Sequence, residues 1–363
     1  MFDFLKSNRL FSFLNKGSYL GVDIGTTSIK VAEVLKGGAK PKLRNYGVLE
    51  SYGHLERLNN AIQTAGLKIM DKDAAKMLKT LLDQSKVKSK DVIASIPAFS
   101  AFITLLEIPQ MSSADTVKTL PFQITQHIPL PVSEVAIDWM KVGEKEDEGG
   151  AVKQQVLIVS VPNEQISHYK SIFKMVGLNL VALEVESLSL ARALVGNDQT
   201  PTIIADIGSH ATNIVVVEKG FVKSNSQTDF AGTSLTQAIS GGLNINVRRA
   251  EQLKKQKGLL GGTGEYELST LTIPFIDAII SEVRRARDNF EKSQGIKIER
   301  AILAGGGANL LGIEKYFEKD LGLPAVIGNA FSRVDYPSKI EPMVKILGPS
   351  FAVAVGLAIK EFI

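Results

Sequence analysis

The chain carries, between two apolar runs, the stretch Val22-Asp23-Ile24-Gly25-Thr26-Thr27-Ser28-Ile29-Lys30. The flanking residues 19–22 and the alternating residues 29–34 predict two strands joined by a tight turn. Backbone N–H groups can approach an anion at Gly25, because this residue has no side chain. Lys30 adds a point charge, and Asp23 could hold Mg²⁺ through water, since Mg²⁺ keeps most of its own waters. The stretch is therefore a candidate cradle for a polyphosphate.

An ordinary turn explains a single hairpin of this composition more simply, so the case for binding depends on a second copy. That copy is Ile203-Ile204-Ala205-Asp206-Ile207-Gly208-Ser209-His210-Ala211-Thr212-Asn213-Ile214-Val215-Val216-Val217-Glu218. Two similar hairpins far apart in a chain suggest two similar domains that face each other across a cleft. Each domain would then contribute one turn to the same phosphates.

Composition and charge narrow the class of protein. The 363 residues are enough for two domains of ordinary size, and 44% hydrophobic with 22% charged residues fits a folded globular protein. The net charge of +4 gives no reason to expect nucleic acid as a partner. The chain has no cysteine, which excludes disulfides and thiolate chemistry and suits a reducing cytoplasm. No apolar run approaches the roughly 20 residues that span a bilayer.

The first residues, 1–14, interleave phenylalanine and leucine with Lys6 and Arg9. This pattern is too broken for a secretory signal sequence. Two interpretations remain open. The segment is either a short helix at a membrane surface or an arm that packs on the body of the protein or frays.

Residues 99–176 predict a small α+β module inserted into the first domain, a kind of insertion that proteins use to meet partners. The predicted elements are strands at 102–109, 135–141 and 154–161 and helices at 115–127 and 164–176. The connection at 143–150 is charged and contains glycine. We expect a solvated loop there.

Several later segments are candidates for binding or for simple structural roles. Glu184 and Glu186 enter a predicted helix, where N-terminal capping and the orientation of water are equally good explanations. Residues 231–234 place a glycine turn before a helix, which favours an anion. The basic helix at 247–257 is most simply a solvated face. Residues 301–310 run from a strand into three glycines, on which a flat ligand could rest.

Two long segments complete the chain. Residues 274–294 predict an amphipathic helix with Arg284, Arg285 and Arg287 in solvent or in ion pairs. Residues 348–358 predict a helix of small residues that lies close against another helix.

Taken in order, five of these segments resemble the motifs of the actin/Hsp70/hexokinase superfamily. They are Asp23-Ile24-Gly25-Thr26, Glu186 with its helix, Asp206-Ile207-Gly208-Ser209, Ala304-Gly305-Gly306-Gly307 and the helix around Gly356. They match the phosphate-1, connect-1, phosphate-2, adenosine and connect-2 segments of that superfamily and extend over nearly the whole chain. The resemblance implies an α/β actin-like fold, in which two RNase H-like domains close on Mg-ATP.

Within this superfamily the chain resembles the PilM-type type IV pilus assembly proteins, relatives of the division protein FtsA. The resemblance is carried by the Met-Phe-x-Phe-Leu-Lys start, by residues 21–30, 177–194 and 232–237, and by Gln126-His127-Ile128-Pro129-Leu130-Pro131 with Glu134 and Asp138. The last segment is similar to the inserted module that this family calls 1C.

The resemblance implies a cytoplasmic ATP-binding scaffold at the inner face of the cytoplasmic membrane. It would grip the cytoplasmic N-terminal peptide of an inner-membrane, PilN-type partner in a groove beside 1C, so that membrane association is indirect. Further pilus assembly proteins and a second copy of the chain are additional candidate partners. We expect slow hydrolysis of ATP or none.

The same resemblance implies a division of the chain into parts. These are an N-terminal arm at 1–18, a first RNase H-like domain (1A) at 19–98, the 1C-type module at 99–176, a return to 1A at 177–200, a second RNase H-like domain (2A and 2B) at 201–344 and a C-terminal helix returning to 1A at 345–363.

It also implies a role for each matching residue. The phosphate ligands would be Gly25, Thr26, Thr27, Ser28 and Lys30 on one side and Gly208, Ser209 and Gly232 on the other. Asp23 and Asp206 would hold Mg²⁺ through water, and Glu186 would orient the attacking water. Glu251 and Lys254 match the helix that contacts adenosine, while Gly306 and Gly307 would flank the base. Ala231 departs from the family pattern, which more often has a second glycine before Gly232.

Two other functions fit the superfamily. A filament-forming, FtsA-like division protein would typically end in a basic amphipathic membrane helix after a linker, whereas the last residues here follow the predicted final helix directly. A small-molecule kinase needs an aspartate base beside the substrate hydroxyl, and the sequence offers no separate candidate.

Overall fold

The computed structural model describes residues 17–50, 71–125, 127–128, 130–146, 149–259 and 266–363. Most of the predicted N-terminal arm, together with Gln126 and Pro129 of the 1C-like motif, therefore lies outside the described residues.

Two five-stranded sheets with the same topology form the body of the protein. In spatial order, the first contains β3 (Lys42–Glu50), β2 (Ser28–Leu35), β1 (Ser18–Ile24), β4 (Asp91–Ile96) and β8 (Asn179–Val185). The second contains β11 (Phe221–Thr228), β10 (Thr212–Glu218), β9 (Thr202–Ile207), β12 (Arg300–Ala304) and β13 (Ala325–Ile327). In each sheet the first three strands along the chain, β1 to β3 or β9 to β11, form an antiparallel meander. The other two strands run parallel to β1 in the first sheet and to β9 in the second. The predicted internal repeat is therefore present in the topology.

A third, antiparallel sheet is inserted after β4. It consists of β5 (Phe102–Pro109), β7 (Val152–Pro162) and β6 (Val135–Glu146), and helix α2 (Ser113–Ile124) covers it. Leu106, Leu120 and Ile158 belong to a small core of their own. We call residues 102–162 the inserted module. Helix α3 (Asn163–Val176), which follows it, packs against α1 (Asp71–Ser85) and β8 of the first domain.

The remaining helices are α4 (Glu186–Leu194), α5 (Gly232–Gly242), α6 (Val247–Lys257), α7 (Tyr266–Gln294), α8 (Ile313–Leu321), α9 (Glu341–Ser350) and α10 (Ala352–Ala358). Helices α7 and α8 bury Ile279, Val283 and Phe317 against one face of the second sheet. In α7, Arg284 forms an ion pair with Asp320, Arg285 with Glu282, and Arg287 with Asp288. These pairs agree with the prediction that the three arginines lie in solvent or in ion pairs.

Three predicted boundaries are wrong. The expected loop at 143–150 begins too early, because residues 143–146 still pair with β7 and belong to β6. Helix α7 begins at Tyr266 and contains Pro274, where we expected its start. The expected single helix at 348–358 is divided at Phe351, where α9 and α10 meet at 95°. Among the described residues no single helix is long and apolar enough to cross a membrane.

Helix α10 lies directly against β1 and α4, where glycines admit its backbone. A Cβ atom on Gly356 would lie 2.1 Å from the carbonyl oxygen of Ser189, and one on Gly21 would lie 2.0 Å from that of Ala354. Glu184, which lies in β8 and not in the helix as expected, is fully buried here. Burial opposes its ionisation, but Arg192 and Lys360 outweigh this and hold the pKa of Glu184 at about 2.

We expect Gly356→Ala to lower the free energy of unfolding by about 1–3 kcal/mol, the usual cost of overpacking a core, because the new methyl group meets backbone that cannot rotate away. The matched control is Gly38→Ala, since nothing lies within 4 Å of that added Cβ. Urea denaturation measures both. Equal stabilities of the two variants would contradict the close packing of α10.

Candidate functional site

The tips of the two predicted hairpins meet across the cleft between the domains. The two turns have the same geometry, because the N–H of Gly25 donates to the carbonyl of Ser28 at 2.9 Å and that of Gly208 to the carbonyl of Ala211 at 3.0 Å. Two side-chain pairs then join the tips. Thr27 Oγ1 and Ser209 Oγ share a hydrogen bond of 2.6 Å, and Thr26 Oγ1 lies 3.1 Å from His210 Nδ1.

Acidic side chains surround one lysine just inside the tips. Lys30 Nζ donates to Asp23 Oδ2 at 3.2 Å, and Ser95 Oγ on β4 donates to Asp23 Oδ1 at 3.0 Å. Burial opposes the charge of Lys30, but attraction to Asp23, Asp206 and Glu186 outweighs it and raises the lysine pKa. The structure therefore brings the predicted magnesium-holding aspartates and the predicted water-orienting glutamate into one shared electrostatic environment.

Two carboxyl groups near this lysine, those of Glu186 and Asp206, hold their protons unusually tightly. Burial, followed by repulsion from Asp206, raises the pKa of Glu186 to about 8. Burial also raises the pKa of Asp206 to about 6, although Lys30 works in the opposite direction. In both groups removal from water is the largest cause of the shift, because burial favours the uncharged form of a carboxyl group.

Three residues of the site, Ser95, Asn213 and Tyr169, have no role assigned from the sequence. Asn213 Nδ2 donates to Glu186 Oε1, which also accepts from the N–H of Ala98 at 2.9 Å. Asn213 lies opposite Asp206 in the sheet and lowers its pKa by hydrogen bonding. Its position inside the second hairpin is the feature of the sequence from which this role could have been predicted.

Tyr169 of α3 is the third of these residues, after Asn213 and Ser95. Its side chain is completely buried, and its hydroxyl has no hydrogen-bond partner among the described residues. Burial and the nearby charges of Asp23 and Glu186 raise its pKa well above the usual 10. Helix α3 thus places a buried tyrosine within the electrostatic range of the acidic cluster, for which the sequence pattern offers no signal.

The chemistry of this cluster suits a magnesium ion. Among the described residues no three His, Cys, Asp or Glu side chains are close enough together to hold a metal ion directly. Asp23 and Asp206 could instead hold Mg²⁺ through its waters, which is the arrangement that the ion favours. A divalent cation would also supply the positive charge that the raised pKa values of Asp206 and Glu186 call for.

The predicted adenosine helix is joined to the second hairpin. Lys254 Nζ on α6 donates to the carbonyl of Gly232 at 2.8 Å and lies 2.7 Å from Glu251 Oε2. The N–H of Gly232 in turn donates to the carbonyl of Gly208 at 3.0 Å. Glu251 and Lys254 are therefore partly buried and fixed, and the solvated face that composition favoured for this helix is wrong for this pair. At the start of α5, the N–H of Gly232 and that of Thr233 are both used by carbonyls of the hairpin.

The three consecutive glycines at 305–307 differ in what surrounds the position of an added Cβ atom. Gly305 has a φ of +77°, and a Cβ atom there would lie 2.6 Å from Asp206 Oδ1. A Cβ atom on Gly307 would lie 2.3 Å from the side chain of Ile207. Nothing lies within 4 Å of the Cβ position of Gly306. Gly305 and Gly307 are thus needed for packing on β9, whereas the Cβ position of Gly306 faces open space.

We expect Glu186→Gln to stabilise the protein increasingly as pH rises. In the unfolded chain this carboxyl group ionises near its ordinary value of 4.5, and in the folded protein only near pH 8. Between these values unfolding releases a proton, so the stability of the wild type falls with rising pH, whereas glutamine has no proton to release. The measurement is thermal unfolding without nucleotide and with EDTA, from about pH 5 to about pH 8. A difference in melting temperature that stays constant with pH would contradict the raised pKa, and Glu318→Gln on the surface is the control.

The chain is similar in sequence and in fold to several known proteins. The chain is 23% identical over 387 residues to the cell division protein FtsA of Enterococcus faecalis (strain ATCC 700802 / V583), covering 91% of this chain and 86% of that protein. Its fold is similar to that in the solved PilM-PilN type IV pilus biogenesis complex, with a TM-score of 0.79 and 21% identity over 94% of this chain and 98% of the other. MreB5 of Spiroplasma citri bound to ADP aligns with a TM-score of 0.52 and 14% identity over 94% of this chain and 95% of the other.

These likenesses confirm the predicted actin-like fold of two domains. The family model described as type IV pilus assembly protein PilM matches residues 21–362, which is nearly all of the described chain. This chain therefore belongs to the PilM family of type IV pilus assembly proteins.

Proposed function

We propose that this protein is an ATP-dependent switch in the inner-membrane assembly platform of a type IV pilus or a related secretion system. In this proposal Mg-ATP binds between the two domains, and its binding controls how the protein holds the cytoplasmic N-terminal peptide of a PilN-type partner. The protein then acts at the cytoplasmic face of the inner membrane through that partner. Turnover of ATP is slow or absent.

The observation that carries the nucleotide proposal is the meeting of the two hairpin tips over the acidic cluster. The hydroxyl groups of Thr26 and Thr27 meet His210 and Ser209 of the opposite turn, so that polar side chains from both domains converge between the domains. Lys30 adds a positive charge that Asp23, Asp206 and Glu186 all attract. A solved actin-like relative, MreB5, is described as bound to ADP, which supports the same class of ligand here.

A groove beside the inserted module supports the peptide proposal. It has a volume of about 370 Å³ and is lined by residues 98–99 and 101–104, His127 and residues 225–227. Phe99 is 46% exposed there, and the Oδ1 atom of Asn225 is buried without a hydrogen-bond partner among the described residues. An extended peptide offers both apolar side chains for the phenylalanine and backbone N–H groups for the unpaired oxygen. The solved PilM-PilN complex supports a PilN-type occupant.

We expect Asp206→Ala to weaken Mg-ATP binding by about 10- to 100-fold, the usual cost of losing a residue that acts through a metal's outer shell. Isothermal titration calorimetry measures this, with Asp320→Ala on α8 as the control, since that residue pairs with Arg284 on the surface. Unchanged affinity in the Asp206 variant would remove this residue from the site.

We also expect a labelled peptide of the partner's cytoplasmic N-terminus to bind the protein in the presence of Mg-ATP. Phe99→Ala should weaken this binding by about tenfold, equivalent to about 1.4 kcal/mol, through loss of apolar contact. Phe122→Ala is the matched control, because Phe122 is 80% exposed but does not line the groove. Fluorescence anisotropy measures both, and absence of binding at high micromolar protein would count against the peptide proposal.

A further inference from the structure

A buried lysine that plays no part in the nucleotide site joins the second domain to the inserted module. Lys223 of β11 is only 4% exposed. It is also the extra residue of a β-bulge, because Val217 pairs with Val222 and Val216 pairs with Ser224, which leaves Lys223 unopposed. Bulges redirect side chains away from the regular alternation of a strand. This bulge directs the ammonium group out of its own sheet.

A second bulge receives that ammonium group. In β6, Lys141 pairs with Val156 and Gly143 with Gln155, so that Val142 between them is unopposed. Lys223 Nζ donates to the carbonyl of Val142 at 2.8 Å. Gly143 makes room for it, because a Cβ atom on that glycine would lie 2.7 Å from the lysine nitrogen.

Lys223 also contacts charged and polar groups on both sides of the interface. It donates to Gln155 Oε1 of β7 at 2.8 Å and lies 3.2 Å from Glu218 Oε2 of its own domain. Burial lowers the pKa of this lysine, although Glu218 works against that change. The ammonium group is therefore held by oxygen atoms from two different bodies of the protein and is shielded from water.

The polar contact continues to the end of α7. Gln155 Nε2 donates to Gln294 Oε1 at 2.7 Å, and Lys145 Nζ donates to the carbonyl of Ser293 at 2.8 Å. Lys145 also pairs with Glu107 within the inserted module at 2.9 Å. We call these contacts, together with those of Lys223, the polar seam. Lys145 lies in the segment that composition assigned to a solvated loop.

The seam has a mechanical consequence. The inserted module is connected by the chain to the first domain, through β4 before it and α3 after it. Its polar edge is bonded to the second domain. Leu157 and Val159 of the module also belong to the apolar core that contains the first domain. When the angle between the domains changes, one course is to break the seam, which would leave a buried ammonium group without its partners. The other is to shift the inserted module against that core and carry it along with the second domain. The second course preserves every hydrogen bond of the lysine.

We propose that Lys223 is a positioning residue that makes the inserted module move with the second domain. Nucleotide-driven movement of the domains would thereby shift the groove walls formed by residues 102–104, His127 and residues 225–227 together, relative to Ala98 and Phe99, which precede the inserted module. This inference rests on the proposed function, because it states how ATP in the cleft alters peptide binding at a distance. Lys223 itself contacts neither ligand in this proposal.

The first test compares Lys223→Met with Lys219→Met. Methionine keeps the unbranched shape and most of the length of the lysine side chain and removes the charge and the donors. Lys219 is the matched control, since it also pairs with Glu218, at 3.1 Å, but its side chain is 67% exposed. The measurement is the affinity of the labelled partner peptide with and without Mg-ATP. We expect ATP to change this affinity in the wild type by about 5- to 150-fold, the usual range of coupling between sites, and by less than about twofold in Lys223→Met.

The affinity for Mg-ATP itself should stay the same in both lysine variants. Full coupling in Lys223→Met would overturn the inference and leave the proposed function intact. A wild type that binds ATP and peptide without any coupling would overturn it as well. A wild type that binds neither ligand would overturn the proposed function, and the seam is then tested by the second measurement.

The second measurement needs no ligand. The chain has no cysteine, so that spin labels can be placed at Lys118→Cys of the inserted module and Lys319→Cys of the second domain without further changes. We expect a narrow distance distribution by double electron–electron resonance in the otherwise unchanged protein and in Lys219→Met. Lys223→Met should broaden it or shift it. An unchanged distribution in Lys223→Met would show that the seam does not hold the inserted module to the second domain.

Discussion

The balance of charge inside the cleft constrains the rest of this structure. Asp23, Asp206 and Glu186 share the field of a single ammonium group, that of Lys30. One cation cannot neutralise three carboxylates where water is scarce, and two of the carboxyl groups respond by holding their protons. The protein supplies what further compensation it can through Asn213 and the N–H of Ala98. A site of this kind gains stability from a bound divalent cation, which is why its geometry and its chemistry point to the same ligand.

The repeated sheet topology explains how this concentration of charge arises. Asp23 and Asp206 occupy corresponding places near the ends of the first strands of the two sheets, β1 and β9. Each strand then turns back through a glycine hairpin of the same geometry. When the sheets face each other, both hairpin tips and both aspartates come to one narrow space. The arrangement needs two copies, because one copy would present its carboxylate to solvent.

The inserted module adds a third body to this pair of domains. The chain attaches it to the first domain, whereas the polar seam attaches it to the second. Helix α3, which follows the module and packs on the first domain, buries Tyr169 within the electrostatic range of Asp23 and Glu186. The module is thus linked to the second domain by the polar seam and to the cleft side of the first domain by the helix that follows it. A buried charge is an effective link, since leaving it without its partners typically costs about 3–5 kcal/mol.

The sequence by itself determined the two hairpins, the repeat, the family and most strands and helices, because local alternation, turn residues and motif order are properties of contiguous chain. Only the tertiary structure decided the roles of Asn213, Tyr169 and Lys223, since each acts on groups that lie far from it along the chain. It also corrected the loop expected at 143–150, whose charged residues are partly in a strand that faces the second domain. Charge on a segment indicates contact with water only where no other part of the protein packs against it, and that is settled by the fold.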